Sequence, residues 1–137
     1  MPKTERQKII AKLDKLCREI LLLRDDIGGG MYRCISCGKI EPLERSNVSH
    51  YCGRAYLITR WNLNNIWLSC VSCNKWKSGN LIEYRKALIE KIGLTEVEHL
   101  EAIYKQPAGY TLFDLTLIYQ QLRITYEQMK RGNVKNE

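Results

Sequence analysis

Cys34-Ile-Ser-Cys37 and Cys70-Val-Ser-Cys73 form two Cys-x-x-Cys pairs separated by a 32-residue insert. Each pair makes a tight turn that offers two thiolates to one ion, and tetrahedral zinc takes four such soft ligands. Gly38, directly after the first pair, suits a knuckle turn that needs a residue with positive φ. A lone pair would read as redox chemistry, but two in one small chain read as a metal site. The sequence therefore predicts a structural Zn²⁺ on Cys34, Cys37, Cys70 and Cys73. The short β-like runs beside the cysteines, "NVSHY" and "NIWLSC", bury little surface alone, so the metal should contribute folding energy outright.

This assignment needs a reducing compartment. The start, "MPKTERQKII", lacks the apolar core and cleavage site of a secretory signal. No apolar run reaches the ~20 residues that span a bilayer. The expectation is a cytoplasmic protein with no membrane partner, its cysteines reduced. Cys17 reads as a small buried hydrophobe and Cys52 as a loop thiol.

A chain of 137 residues holds one domain or a compact module with helical additions. Three parts are predicted. Residues 1–30 carry a helix from Glu5 to Asp26, opened by the capping-box pair Thr4 and Gln7 and ended by the glycines at 28–30. Its stripe of Ile9, Leu13, Leu16, Ile20 and Leu23 is expected to pack on the rest of the chain, with homodimerisation as the second reading. Residues 31–92 form the metal module, closing in a helix from Asn80 to Lys91. Residues 93–137 are a helical extension, with a capping box at Thr95 and Glu98, a break at Pro107 and Gly109, and a long helix capped by Thr111. Leu115, Ile118, Tyr119, Leu122, Tyr126 and Met129 share a face of that helix, and the tail "RGNVKNE" is expected to fray.

Charge follows the same division. Residues 31–91 hold ten Lys/Arg against four Asp/Glu, nearly all of the net +7. Such concentration on one module is the footprint of a surface that meets phosphates. Arg54, Arg60, Lys75 and Lys77 surround the insert's histidine and the second knuckle, and these are the predicted DNA contacts. Trp61, Trp67 and Trp76 all fall within the module. At least two should pack around it, leaving Trp76, between two lysines, as a residue that could stack on DNA.

The order Cys-x-x-Cys, His50, Asn65, Cys-x-x-Cys-Asn74-x-x-Lys77 resembles the zinc-bearing HNH nucleases of the His-Me finger fold, and the phage endonuclease VII family. The run "SHYCGRAYLITRWNLNNIWLSCVSCNKWKSGNLIEY" is similar to the lambda NinG (Rap) recombination family over about residues 31–91. The resemblance implies an α+β fold: a small ββα-metal module stapled by the four-cysteine zinc, flanked by the N-terminal and C-terminal helices. It implies a metal-dependent DNA endonuclease acting on branched recombination intermediates inside a bacterial host. His50 would be the general base, Asn65 would hold the histidine loop, and Asn74 would offer its amide oxygen to Mg²⁺ or Mn²⁺. Ser49 stands where many HNH proteins carry a metal-binding aspartate, and residues 31–91 contain no aspartate. The second cation would therefore rest on neutral oxygens, with Ser49, Asn74 and Asn80 as candidates. The alternative is a non-catalytic zinc DNA-binding or recombination-accessory protein.

Overall fold

The computed structural model describes residues 1–135, with side chains through 132. In chain order the elements are α1 (Glu5–Arg24), β1 (Met31–Arg33), β2 (Ile40–Pro42), β3 (Asn47–His50), α2 (Leu57–Arg60), β4 (Ile66–Ser69), α3 (Leu81–Ile92), α4 (Leu94–Ile103) and α5 (Leu112–Lys135). The class is mixed α+β. The two sheets are two-stranded and antiparallel, β1 with β2 and β3 with β4. The chain divides into two compact units, one formed by residues 1–24 with the segment from 109 onward, the other by residues 25–108.

In the first unit α1 packs on α5. Thr4 and Gln7 form the predicted capping box: the Gln7 amide donates to Thr4 Oγ1 and the Thr4 amide to Gln7 Oε1. Thr111 and Asp114 make the same reciprocal pair at the start of α5. The α1 residues sealed inside are Leu13, Leu16, Cys17, Ile20 and Leu21, a face turned slightly from the predicted stripe because Leu21 replaces Leu23. Leu115 and Leu122 are buried on α5. Burial pushes the Cys17 thiol up to about 12, which leaves it an apolar filler. The helix α5 continues through residues 131–135, where the sequence suggests fraying; positions 136 and 137 lie outside the described residues.

The second unit holds both cysteine pairs, both sheets and α4. Its core of Ile35, Cys52, Tyr84, Leu88, Val97 and Leu100 draws on the first knuckle, the histidine loop, α3 and α4 together. Gly93, at φ +89, ends α3 and directly precedes α4. A one-residue joint puts Thr95 inside the first turn, so the predicted cap at Thr95 and Glu98 does not form: the cap position is Gly93. The joint also groups α4 with the cysteine module, whereas the sequence grouped it with the C-terminal helices.

Candidate metal centre and histidine loop

The four predicted cysteines converge. Their Sγ atoms lie within 4.8 Å of one another, and Cys37 Sγ stands 3.8 Å from Cys70 Sγ. A tetrahedron with Zn–S bonds of about 2.3 Å has S···S edges of about 3.8 Å, so the donor set fits a zinc-sized ion in both chemistry and spacing. Local backbone explains the convergence. The Gly38 amide closes the first turn on the Cys34 carbonyl (2.9 Å) with Gly38 at φ +78, and the Gly79 amide closes the second on Cys73 (2.8 Å). The Cys70 amide donates to Cys34 Sγ (3.3 Å) and the Cys73 amide to Cys70 Sγ (3.5 Å). Burial alone would raise the Cys34 thiol, but the amides of Cys37, Cys70 and Ser36 outweigh it and hold its pKa below the ordinary value. Ser36 Oγ donates to the Gly79 carbonyl at 3.0 Å and ties the knuckles together.

Asn80 belongs to this centre. Its backbone is left-handed (φ 49, ψ 56), its side chain makes no helix cap, and its Nδ2 donates to Cys73 Sγ at 3.6 Å. A donor on a thiolate is the partner that metal-bound sulfur usually has. The sequence reading of Asn80 as a Mg²⁺ ligand concerns its Oδ1, which this bond does not use.

The histidine lies at the other end of a hairpin. In the β3–β4 ladder Asn47 faces Ser69, next to Cys70, whereas His50 faces Ile66. Three steps of strand rise separate these ends by about 10 Å. Asn65 is fully buried and locks the chain beyond His50. Its Oδ1 accepts from the Cys52 amide at 2.7 Å, and its Nδ2 donates to the carbonyls of Cys52 (3.0 Å) and Thr59 (3.1 Å). The Tyr51 amide bonds the Asn65 carbonyl (2.9 Å). From α3, the Tyr84 hydroxyl donates to the Ser49 carbonyl at 2.7 Å. Burial pushes the Cys52 thiol up to about 11, so it is unsuited to nucleophilic work.

The three candidate ligands of the second cation stand in different surroundings. Ser49 is sealed in the hairpin at 1% exposure, Asn80 is turned to sulfur, and Asn74 hangs from the zinc end, its amide on the Cys70 carbonyl (3.0 Å). Among the described residues, the four cysteines are the one group of three or more His, Cys, Asp or Glu placed to hold an ion. The turn at 72–76 is wound with a π-type bond from the Lys77 amide to the Ser72 carbonyl (3.1 Å). It delays α3 until Leu81, so no α-helix starts at Asn74.

The predicted phosphate contacts fall on two segments. Arg54 is exposed in the loop after His50, and Arg60 ends α2 with its guanidinium 5.5 Å from the Trp61 ring. Lys75 and Lys77 are exposed on the turn after the second knuckle, on either side of Trp76, which is 82% exposed. Trp61 is buried and Trp67 half-buried, its indole bonded to the Asn64 carbonyl at 2.9 Å. Sequence reasoning missed Arg85 and Glu101, which pair at 2.8 and 3.1 Å with the Tyr51 hydroxyl on the same carboxylate. No local spacing signals a bond between residues 50 positions apart.

A family model described as Bacteriophage Lambda NinG protein matches residues 3–133. Among curated proteins, Protein ninG of Salmonella phage P22 is 38% identical over 73 residues, which is 53% of this chain and 36% of that protein. Protein ninG of Escherichia phage lambda is 39% identical over 69 residues, 50% of this chain and 34% of that protein. The matched stretch thus spans about a third of these relatives. No solved structure matches the chain. No helix among the described residues is long and apolar enough to cross a membrane.

Proposed function

The chain belongs to the bacteriophage lambda NinG family, and from that premise we propose that residues 25–108 are a zinc-stapled DNA-binding unit that serves phage recombination as an accessory protein on branched DNA. The observation that carries this reading is the Lys75-Trp76-Lys77 turn. A tryptophan at 82% exposure gains nothing from folding, yet its backbone is fastened: the Asn74, Lys77 and Gly79 amides bond the carbonyls of Cys70, Ser72 and Cys73. The zinc cage would hold an aromatic plane and two cations in a preset array, so little entropy would be lost when they meet DNA. The lysines would neutralise phosphates, and the indole would stack where bases are unpaired, as they are at a branch point.

The test is fluorescence anisotropy of the zinc-loaded chain with duplex, fork and four-way junction DNA over a salt series. Replacing Lys75 and Lys77 by alanine should reduce the slope of log K against log salt by about two. Trp76→Ala should keep the slope and lose the preference for branched over linear DNA. Absence of binding to every DNA at low salt would refute the reading.

A second reading, hydrolysis of the phosphodiester at His50, is favoured by one arrangement. His50 ends β3, Asn65 locks the following loop, and β3 pairs with β4 ahead of α3 with the short α2 between the strands, an arrangement a ββα-metal module would also need. In this reading neutral His50 takes the proton of an attacking water, since an imidazole titrates near working pH. Asn65 positions it through the Cys52 backbone. The residues proposed for Mg²⁺ or Mn²⁺ in this reading, Ser49, Asn74 and Asn80, would offer the ion neutral oxygens only. Supercoiled plasmid with Mg²⁺ or Mn²⁺, beside His50→Ala, separates the readings: nicking abolished by the substitution supports hydrolysis, and a mobility shift without nicking supports binding alone.

A further inference from the structure

A cavity of about 450 Å³ opens beside the histidine loop, within the unit of residues 25–108. Tyr51 and Cys52 line it directly after His50, with Tyr56 from the next turn, Leu81 at the start of α3, and Glu101 and Tyr104 from the end of α4. We propose that this cavity receives a single unstacked DNA base. The proposal rests on the DNA-binding reading above and names what that surface recognises.

Size and walls set the class of ligand. The volume is near the lower end of the ~300–1,000 Å³ of small-molecule pockets, too small for a peptide helix and sufficient for one nucleoside. Tyr56 and Tyr104 meet edge to face, centroids 4.8 Å apart at 82°, and Tyr56 is 39% exposed. These rings offer a planar ligand a stacking surface, and every base has a π-face.

The polar wall narrows the choice. Glu101 is held ionised by the Arg85 guanidinium, which keeps its carboxyl below the usual range, with help from the Tyr51 hydroxyl. A carboxylate accepts only, with about four lone-pair positions. Arg85 Nε and the Tyr51 hydroxyl occupy Oε2, and Arg85 Nη2 occupies one position on Oε1. One acceptor position on Oε1 is left for a ligand donor such as the exocyclic amino group of cytosine or adenine. An aromatic pocket with a carboxylate can also attract an organic cation. Here Arg85 neutralises the carboxylate, and Lys105 follows Tyr104 with its ammonium 5.5 Å from the ring. That positive surround disfavours a cation and favours the phosphates on either side of a flipped nucleotide.

The experiment uses the full zinc-loaded chain, a paired duplex, and the same duplex with one unpaired cytosine, read by anisotropy. Wild type should bind the bulged duplex about tenfold tighter. Tyr56→Ala should lose that ratio while keeping paired-duplex affinity, and Tyr56→Phe should retain it, since the ring rather than the hydroxyl is needed. Tyr56 lies on an exposed turn, and an unchanged urea midpoint by tryptophan fluorescence would establish that the variant is folded. An unpaired thymine should bind several-fold more weakly than cytosine. Paired-duplex binding with no preference for the bulge overturns the pocket and spares the DNA-binding reading; no binding of either DNA overturns both. If free deoxycytidine monophosphate binds in a Tyr56-dependent way while bulged DNA does not compete, the pocket is a free-nucleotide site and the strand-borne base is wrong.

Discussion

Asn65→Ala should destabilise residues 25–108 by about 3 kcal/mol, because the side chain makes three buried hydrogen bonds at a net ~0.5–1.5 kcal/mol each. Those bonds run to the Cys52 amide and to the carbonyls of Cys52 and Thr59, in a site sealed from bulk solvent. The three tryptophans lie at 61, 67 and 76, all in this unit, so selectively excited tryptophan fluorescence reports its unfolding without signal from α1 or α5. With an m-value of ~1–3 kcal/mol/M in urea, the midpoint should fall by about 1–3 M. Asn65→Asp sharpens the test. An aspartate there can still accept from the Cys52 amide, but its second oxygen would face two carbonyls with no proton between them. That raises its folded pKa above the ~3.9 of a free aspartate. A group with a raised folded pKa loses its stabilising contribution as pH rises through the window, so this variant should be least stable near neutrality and recover in acid. A wild-type midpoint for Asn65→Ala, or an aspartate variant indifferent to pH between about 4 and 7, would refute the idea that a carboxamide lock positions the chain after His50.

Native mass spectrometry should find one zinc per chain, and chelation should shift tryptophan emission towards that of solvent-exposed indole, more readily as pH falls because thiolates must be deprotonated to bind. Asn80→Gly keeps the left-handed backbone and removes the donor to Cys73 Sγ, so zinc affinity by competition with a chromogenic chelator should fall ~10–100-fold; an unchanged affinity would make Asn80 merely a turn residue. Glu101 has a folded pKa depressed first by Arg85, so its contribution is present above the unfolded value near 4.5 and lost as pH falls through the folded one. Glu101→Gln should accordingly flatten the acid limb of a urea-midpoint-against-pH curve, and a variant that keeps the wild-type acid limb would show the pair to be inert.

What could be read before folding divides by the range of the interactions. The knuckles and the caps of α1 and α5 are set by residues three or four apart, and Cys34, Cys37, Thr4, Gln7, Thr111 and Asp114 behave as their spacing predicts. Thr95 and Glu98 have the same spacing and fail, because whether a threonine caps depends on where the preceding helix stops, and α3 stops one residue before α4. The zinc cage was legible because each half is a local turn. A second-cation set would draw Ser49, Asn74 and Asn80 from three segments, which no local spacing can specify. The Tyr51–Glu101–Arg85 cluster has no local pattern, because packing of α3 against α4 joins Arg85 to Glu101 and the loop after β3 adds Tyr51.

The hairpin of β3 and β4 explains why such different fasteners occur together. Four-residue strands paired in a two-stranded ladder are marginal in water. Unaided, this one would fray at both ends. At the Ser69 end the chain runs straight into Cys70 and the thiolate cage; at the His50 end Asn65 bonds both backbone groups of Cys52; between them Tyr84 fastens the Ser49 carbonyl to α3. Buried polar groups of this kind, once satisfied, rigidify the chain and admit few alternative arrangements. The exposed residues on these ends, Trp76 beyond the cage and Tyr56 beyond the lock, are thereby held in fixed places although neither is packed in a core. In the proposed function these aromatic faces would meet a flexible, branched polymer, and the cage and the lock would supply rigidity at those two points.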